Sequence, residues 1–380
     1  MADTVVKQNN SVRKLRHRGR ASQISIYFGK LIRMFVFQND WKVLPLSAVI
    51  AGMVAMVVRN DFFLTREGTL KGALALSCVA MWNGCFNSIQ VICRERAIVK
   101  REHRSGMHVS AYTFAHMLYQ ALLCLMQTFV TIYVCKVFGV EYPKAGIVIS
   151  SFKIELGITI FLITFASDMM SLFISSFVHS TTAAMTVMPF VLIFQLVFSG
   201  GVFPVPEKLS FLSDITVSNY GMKCISAEAG YNELPMVTGW NTLNRMRDTD
   251  LEGTLTVDQI MTVFRNDNNN SSIENLRSTP ILDTLTLGDA VDAVMNDPNY
   301  EDYKEKEVNP KINIGDMIDI IGEEKAKEMV LEKTGQSAQN AAYDSTGENI
   351  LTCWLALGAF VFVFFFLTLI SLKLIDRDKR

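Results

Sequence analysis

Charged residues make up only 19% of this chain and apolar residues half of it, a balance that excludes an ordinary soluble domain. No glycine-rich loop with the Gly-x-x-x-x-Gly-Lys-Ser/Thr spacing occurs, so the chain does not bind ATP in the P-loop manner. Histidine is sparse: His17, His103 and His108 stand in basic surroundings, while His116 and His179 stand alone near the ends of apolar runs. Such scatter offers no metal cluster, and no nucleophile motif points to a Ser/His/Asp arrangement. Of seven cysteines only Cys224 falls clearly in the polar region that follows residue 204. No disulfide framework is available there, and that region must stand on its own core. The N-terminus is polar and basic and has no short apolar core with a small-residue cleavage site, so no cleavable signal peptide is expected.

What the chain has is length without charge. Six segments approach or exceed the roughly 20 apolar residues that a membrane span needs. They run Trp41 to Val58, Leu70 to Cys93, Ser110 to Gly139, Ile147 to Phe177, Thr181 to Phe203 and Ile350 to Leu374. The expected fold class is therefore an all-α polytopic membrane protein with six transmembrane helices. Arg13, Lys14, Arg16, Arg18 and Arg20 precede the first span, and Lys373, Arg377, Lys379 and Arg380 follow the sixth. With the basic cluster after the second span, all these charges fall on one side, which the positive-inside rule makes cytoplasmic. Both termini are then cytoplasmic and 205–349 is extracytoplasmic, in a multi-pass protein of the plasma membrane. The basic tail attracts anionic membrane lipid; because it abuts a span, nucleic acid is a poor partner.

Residues 1–21 read as a disordered basic tail. Residues 22–40 read as an amphipathic helix, with Ile24, Phe28, Leu31, Ile32 and Phe35 at helical spacing and Lys30 and Arg33 opposite. Such a helix lies along the inner membrane surface; the alternative, an extension of the first span, is opposed by Asp40. Spans one to five occupy 41–204. Gly200-Gly201, Pro204 and Pro206 break the fifth, and 205–230 alternates apolar and polar residues as a re-entrant outer segment would. Residues 231–349 form an acidic, mostly helical outer domain: Val205 to Asn349 holds 26 acidic and 12 basic residues. Thr256 with Gln259, Thr286 with Asp289, and Asn313 with Asp316 each place an N-cap three residues before a side-chain acceptor, the pattern of a capping box. Residues 350–380 supply the sixth span and a basic tail.

Several polar groups invite chemistry. Asn83, Asn87 and Gln90 share one face of the second span, where they either join helices or line a cavity. Asp168 is an unpaired carboxylate in an apolar run, which marks an intramembrane polar site or a position near the inner interface. Asp248, Asp250 and Glu252, with Gly253 at the sixth position, resemble the start of a calcium-binding EF-hand loop. Gln259 stands where a bidentate Glu belongs and no incoming helix is evident, so a solvated acidic turn is the competing reading.

The segment Arg94 to Tyr112 carries Arg94, Glu95, Arg96, Lys100, Arg101, Glu102 and Arg104, between the second and third spans. Topology accounts for its charge but not for the Ser105-Gly106-Met107 turn or the Ser110-Ala111-Tyr112 helix start. In order and spacing, Glu95-Arg96, Arg101-Glu102, Ser105-Gly106-Met107 and Ser110-Ala111-Tyr112 resemble the loop between spans two and three of G-subfamily (white and pleiotropic-drug-resistance type) ABC exporters. Phe198-Ser199-Gly200 and Ser218-Asn219-Tyr220-Gly221-Met222 with Ala227-Glu228 are similar to two further phrases of that family. The resemblance covers 22–230 and 350–375.

It implies a permease subunit that dimerises around a central cavity and moves a hydrophobic or amphiphilic substrate outward by alternating access. Residues 94–109 would be the coupling segment, with Glu95, Arg96, Arg101, Glu102, Arg104 and Gly106 addressing the ATPase. The cavity would be lined by Trp82, Asn83, Phe86, Asn87 and Gln90, with Ile193 and Leu196 of span five. Gly201, Val202 and Phe203 would take the place of the outer gate. Asn83 replaces the family's cavity aromatic, which weakens the case for a flat stacked ligand. No ATPase domain precedes the connecting helix, so ATP and Mg are expected on a partner ABC ATPase subunit. The other implied partner is a second permease copy or paralogue; the chain itself carries no cofactor and is no enzyme. A membrane-anchored receptor or scaffold that presents the acidic domain is the alternative.

Overall fold

The computed structural model describes residues 19–37, 40–201, 206–248, 255–265, 271–282, 285–308, 313–337 and 339–374. The chain divides into two compact units, 1–234 with 340–380, and 235–339.

The first unit contains α1 (Arg20–Phe37), α2 (Val43–Val58), α3 (Arg66–Ser88), α4 (Val91–Arg104) and α5 (Val109–Val137), then α6 (Phe152–Phe177), α7 (Thr181–Val197), α8 (Ser210–Asp214) and α9 (Val217–Glu228). The second contains α10 (Thr238–Arg245), α11 (Val257–Phe264), α12 (Ser271–Arg277), α13 (Leu287–Met295), α14 (Tyr300–Tyr303), α15 (Ile314–Ile321) and α16 (Glu323–Ser337). The chain then returns to the first unit as α17 (Gly347–Lys373).

Among the described residues, four helical stretches are long and apolar enough to cross a membrane: Arg66–Arg104, Val109–Val137, Phe152–Phe177 and Gly347–Lys373. Helices α2 and α7 are apolar but shorter. The predicted ends shift for local reasons. Helix α3 begins one turn before Leu70 because the Thr65 hydroxyl accepts the Gly68 N–H at 3.1 Å, a side-chain N-cap. Arg66, 4% exposed, is tolerated there because its guanidinium donates to the carbonyls of Asn232 and Leu234. Residues 147–151 do not join α6, because the Glu155 carboxylate accepts the N–H groups of Val148 (3.0 Å) and Ile149 (2.9 Å) and folds that stretch into a turn. Helix α7 ends at Val197, with Gly200 in the left-handed region at φ 76°.

Helices α3 and α6 form the centre of the first unit, with α5, α9 and α17 packed around them. Their approach is close because α3 presents small residues, Ala73, Ser77, Ala80, Gly84 and Ser88, all buried. A Cβ on Gly84 would stand 2.1 Å from the Thr164 carbonyl oxygen and 2.9 Å from the Asp168 nitrogen, so only glycine admits the α6 backbone there. Leu76, Ile160, Ile163, Met169 and Met222 fill the surrounding core.

The second unit is mostly helical and also holds two short antiparallel ribbons. Strand β1 (Leu255–Thr256) pairs with β4 (Glu307–Val308) in the register Leu255↔Val308 and Thr256↔Glu307. Strand β2 (Pro280–Leu282) pairs with β3 (Leu285–Thr286) in the register Pro280↔Thr286 and Leu282↔Leu285. Thr256 with Gln259 opens α11 and Thr286 with Asp289 opens α13, each as a reciprocal capping box. In the third pair, Asn313 with Asp316, the Asp316 side chain lies outside the described residues. Trp240, Ile318 and Ala326 join α10, α15 and α16 in a small core. Helix α10 also corrects the expectation that no helix enters the EF-hand-like loop; Asp248 follows it, while Asp250 and Glu252 lie outside the described residues.

Candidate functional site

Helix α4 is built as a braced lever. Its apolar face, Ile92, Cys93 and Val99, is buried, and its first N–H groups are capped from outside. The Ser175 hydroxyl on α6 accepts from Ile92 N (3.0 Å) and Cys93 N (3.1 Å), which satisfies orphan donors at the helix start. One turn on, the Arg96 guanidinium donates to the carbonyls of Ser176 (2.8 Å) and Val178 (3.3 Å) at the negative end of α6. The far end stops cleanly. Met107 N donates to Glu102 O at 3.0 Å and Gly106 N to His103 O at 3.1 Å, with Gly106 at φ 102°.

A second brace comes from α1. The Tyr27 hydroxyl donates to the Glu102 carboxylate at 2.9 Å, and Lys30 pairs with Glu95 at 3.4 Å. Gln23 donates to Gly106 O (3.3 Å) and accepts from His108 N (2.9 Å), tying α1 to the turn that ends α4. Burial, then the adjacent Glu102 carboxylate, raises the Tyr27 phenol well above its ordinary range, so it remains a neutral donor.

The residues assigned to coupling thus separate into two sets. Glu95, Arg96 and Glu102 hold α4 against α1 and α6, and Gly106 makes its terminal turn. Arg101 and Arg104 are exposed, and with Ala97 and Ile98 (40% exposed) they form an outward face at helical spacing. The exposed isoleucine on that face escaped the sequence reading.

The amides of α3 are engaged in joining helices. Asn83, 5% exposed, donates to the Ser47 hydroxyl of α2 at 2.9 Å. Asn87 exchanges two hydrogen bonds with Gln127 of α5, at 2.8 and 3.1 Å. Asp168 is not the unpaired carboxylate of the sequence reading: the Ser88 hydroxyl donates to its Oδ1, and Gln120 Nε2 donates to Ser88 at 2.7 Å. Its Oδ2 has no partner among the described residues. Gln120 and Gln127 were missed, although their seven-residue spacing in an apolar run signals one helix face.

Trp82 and Phe86 are 44% and 48% exposed on α3, and Ile193 and Leu196 are 57% and 37% exposed on α7. Phe86, Asn87 and Gln90 line a cavity of about 270 Å³ together with His116, Gln120 and Arg94. Gly201 lies against Met222, whose sulfur would be 2.4 Å from an added Cβ; Val202 and Phe203 fall outside the described residues. Among the described residues no group of three or more His, Cys, Asp or Glu is placed to hold a metal.

A helix-rich membrane unit with a braced, charged segment between two apolar helices calls for comparison with known transporters. The family model for the ABC-2 type transporter matches residues 14–227. The chain belongs to that family. An ABC transporter ATP-binding/permease protein of Mycobacterium tuberculosis is 26% identical over 223 residues, which cover 56% of this chain and 26% of the relative. The chain thus matches about a quarter of that relative's length. As an ABC-2 permease, it is a membrane transport component in which α4 and its braces lie inside the matched region.

Proposed function

We propose that this ABC-2 permease is the membrane subunit of an ATP-driven exporter, which dimerises and moves a hydrophobic or amphiphilic substrate outward by alternating access. The observation that carries the reading is the construction of α4. Its inward side is fixed to the middle of α1 and to the C-terminal end of α6, and Ile98 and Arg101 are left facing outward. A helix held this way transmits a push as a rigid body, the kind of movement by which transporters switch state. Charge at Arg101 and Arg104 gives register to a partner surface, and Ile98 gives it an apolar anchor. That partner is an ABC ATPase carrying ATP and Mg, expected as a separate subunit.

Six crossings are part of this proposal. Helices α2 and α7 have 16 and 17 residues. At about 1.5 Å per residue they span roughly 25 Å, which modest bilayer thinning accommodates. Six crossings put both termini in the cytoplasm and 205–349 outside, at the plasma membrane. Trp82, Phe86, Ile193 and Leu196 then supply the seam with the second copy and the apolar wall of the path. Gly201 marks its outer end.

The test is isolation of the full chain from native membranes in mild detergent. The proposal expects an ABC ATPase in stoichiometric amount, lost from the Ile98→Glu and Arg101→Glu variants but retained by Phe366→Ala. Recovery of the chain without any nucleotide-binding subunit would favour a receptor or scaffold that presents 235–339.

A further inference from the structure

The two strands of chain that lead into and out of 235–339 are tied to each other. Asn232 Nδ2 donates to the Asn340 carbonyl at 3.1 Å and to the Asp344 carboxylate at 2.6 Å. Asn340 N donates back to Asn232 Oδ1 at 3.1 Å, so one asparagine side chain bridges 108 positions of sequence. Alongside, Tyr231 and Tyr343 meet edge to face, with ring centroids 5.0 Å apart. Asn349, in the first turn of α17, donates to the carbonyls of Ala342 (3.2 Å) and Asp344 (3.0 Å). The returning strand is thereby fixed to the helix it enters. Both strands are anchored at the start of α3. Arg66 Nε donates to Leu234 O at 2.8 Å, its guanidinium also donates to Asn232 O, and it lies 5.9 Å from the Tyr231 ring centroid. Freeing a buried guanidinium from its acceptors is costly, so the closed neck is a fixed part of the first unit.

We propose that 231–234 and 340–344 form a clasp, and that 235–339 is an accessory module carried on it, which the membrane unit does not need in order to fold. An insertion whose two ends meet adds a loop to its host and displaces none of the host's backbone. The second unit has its own means of folding. Trp240, Ile318 and Ala326 make its core, and Arg277 ties α11 to α13 through Phe264 O at 2.7 Å and Asp292 at 2.6 Å. Loop-closure entropy grows only slowly with length, so exchanging the module for a short linker changes little at the clasp. Every residue of the clasp lies in the first unit, and the proposal holds with or without an ATPase partner.

In the full-length protein, 235–339 is replaced by Gly-Ser linkers of about six and about twelve residues. Thermal unfolding in detergent is followed by maleimide labelling of the buried Cys85, a probe of the first unit alone. At least one linker variant should keep the Tm of the full chain within about 2 °C. Arg66→Met should lower that Tm by roughly 3–10 °C, and by the same amount in the linker background, because the clasp belongs to the membrane unit. Asn232→Ala gives the same comparison with a milder change should Arg66→Met not fold. Hydrogen exchange across 235–339 should keep its wild-type rate when the clasp is weakened in this way. A larger fall of Tm in both linker variants overturns the proposal. So does a clasp variant that leaves Tm unchanged, loses its effect once the insertion is gone, or quickens exchange across 235–339.

Discussion

Gly84→Ala is the sharpest perturbation of the membrane unit. The added methyl would start 2.1 Å from Thr164 O and 2.9 Å from Asp168 N, both backbone atoms that no rotamer change can move. Restoring ordinary contact at 3.4 Å requires α3 and α6 to part by about 1 Å, an overpacking that costs roughly 1–3 kcal/mol. One turn away, the same separation pulls the Ser88 hydroxyl from Asp168, a hydrogen bond to a carboxylate worth about 1.5–3 kcal/mol. Against this, alanine gains about 1 kcal/mol of helix propensity over glycine. The net loss is about 1.5–5 kcal/mol, so the apparent Tm should fall by roughly 4–20 °C at a fixed scan rate. The assay is thermal unfolding in detergent, read by the accessibility of the buried Cys85 thiol to a maleimide dye. A Tm within about 2 °C of wild type would refute the backbone-contact argument.

The Asn87–Gln127 pair predicts non-additivity: Gln127→Leu strands the partly buried Asn87 amide and costs about 1 kcal/mol, whereas Asn87→Leu with Gln127→Leu recovers most of it in a double-mutant cycle. Tyr27→Phe removes the α1–α4 hydrogen bond at Glu102. It should cost about 1 kcal/mol of stability, and hydrogen exchange should quicken at the C-terminal turn of α4. Loss of the Thr286 cap in Thr286→Ala should cost about 1 kcal/mol, read by Tm of the full chain. Hydrogen bonds from the Thr286 hydroxyl and backbone hold the Asp289 carboxyl below its usual value. That contribution is complete above the unfolded-state pKa and disappears as pH falls through the lower folded value, so Thr286→Ala should flatten the acid limb of the pH–stability curve.

The apolar elements were legible because run length and helical spacing are local properties of the chain. Their ends were not, because distant side chains set them. Ser175 caps α4 from another helix, and Glu155 hooks Val148 and Ile149 away from α6. The same limit divided the charged segment. Glu102 and Arg101 are neighbours in sequence, yet the partner that occupies Glu102 is Tyr27, 75 residues away. Asp168 looked unpaired for this reason too, since Ser88 reaches it from 80 positions earlier. Gln120 and Gln127 were within reach, since two glutamines on one face of an apolar helix are themselves a signal.

The central claim is that the outward face of α4 meets an ABC ATPase. A benzoylphenylalanine placed at Ile98, with a control at the exposed Phe366 of α17, tests it by photocrosslinking in native membranes. The account predicts an adduct between position 98 and a nucleotide-binding domain, absent from position 366 and diminished by Arg101→Glu. An efficient crosslink from 366 alone, or from 98 only to lipid, would contradict it.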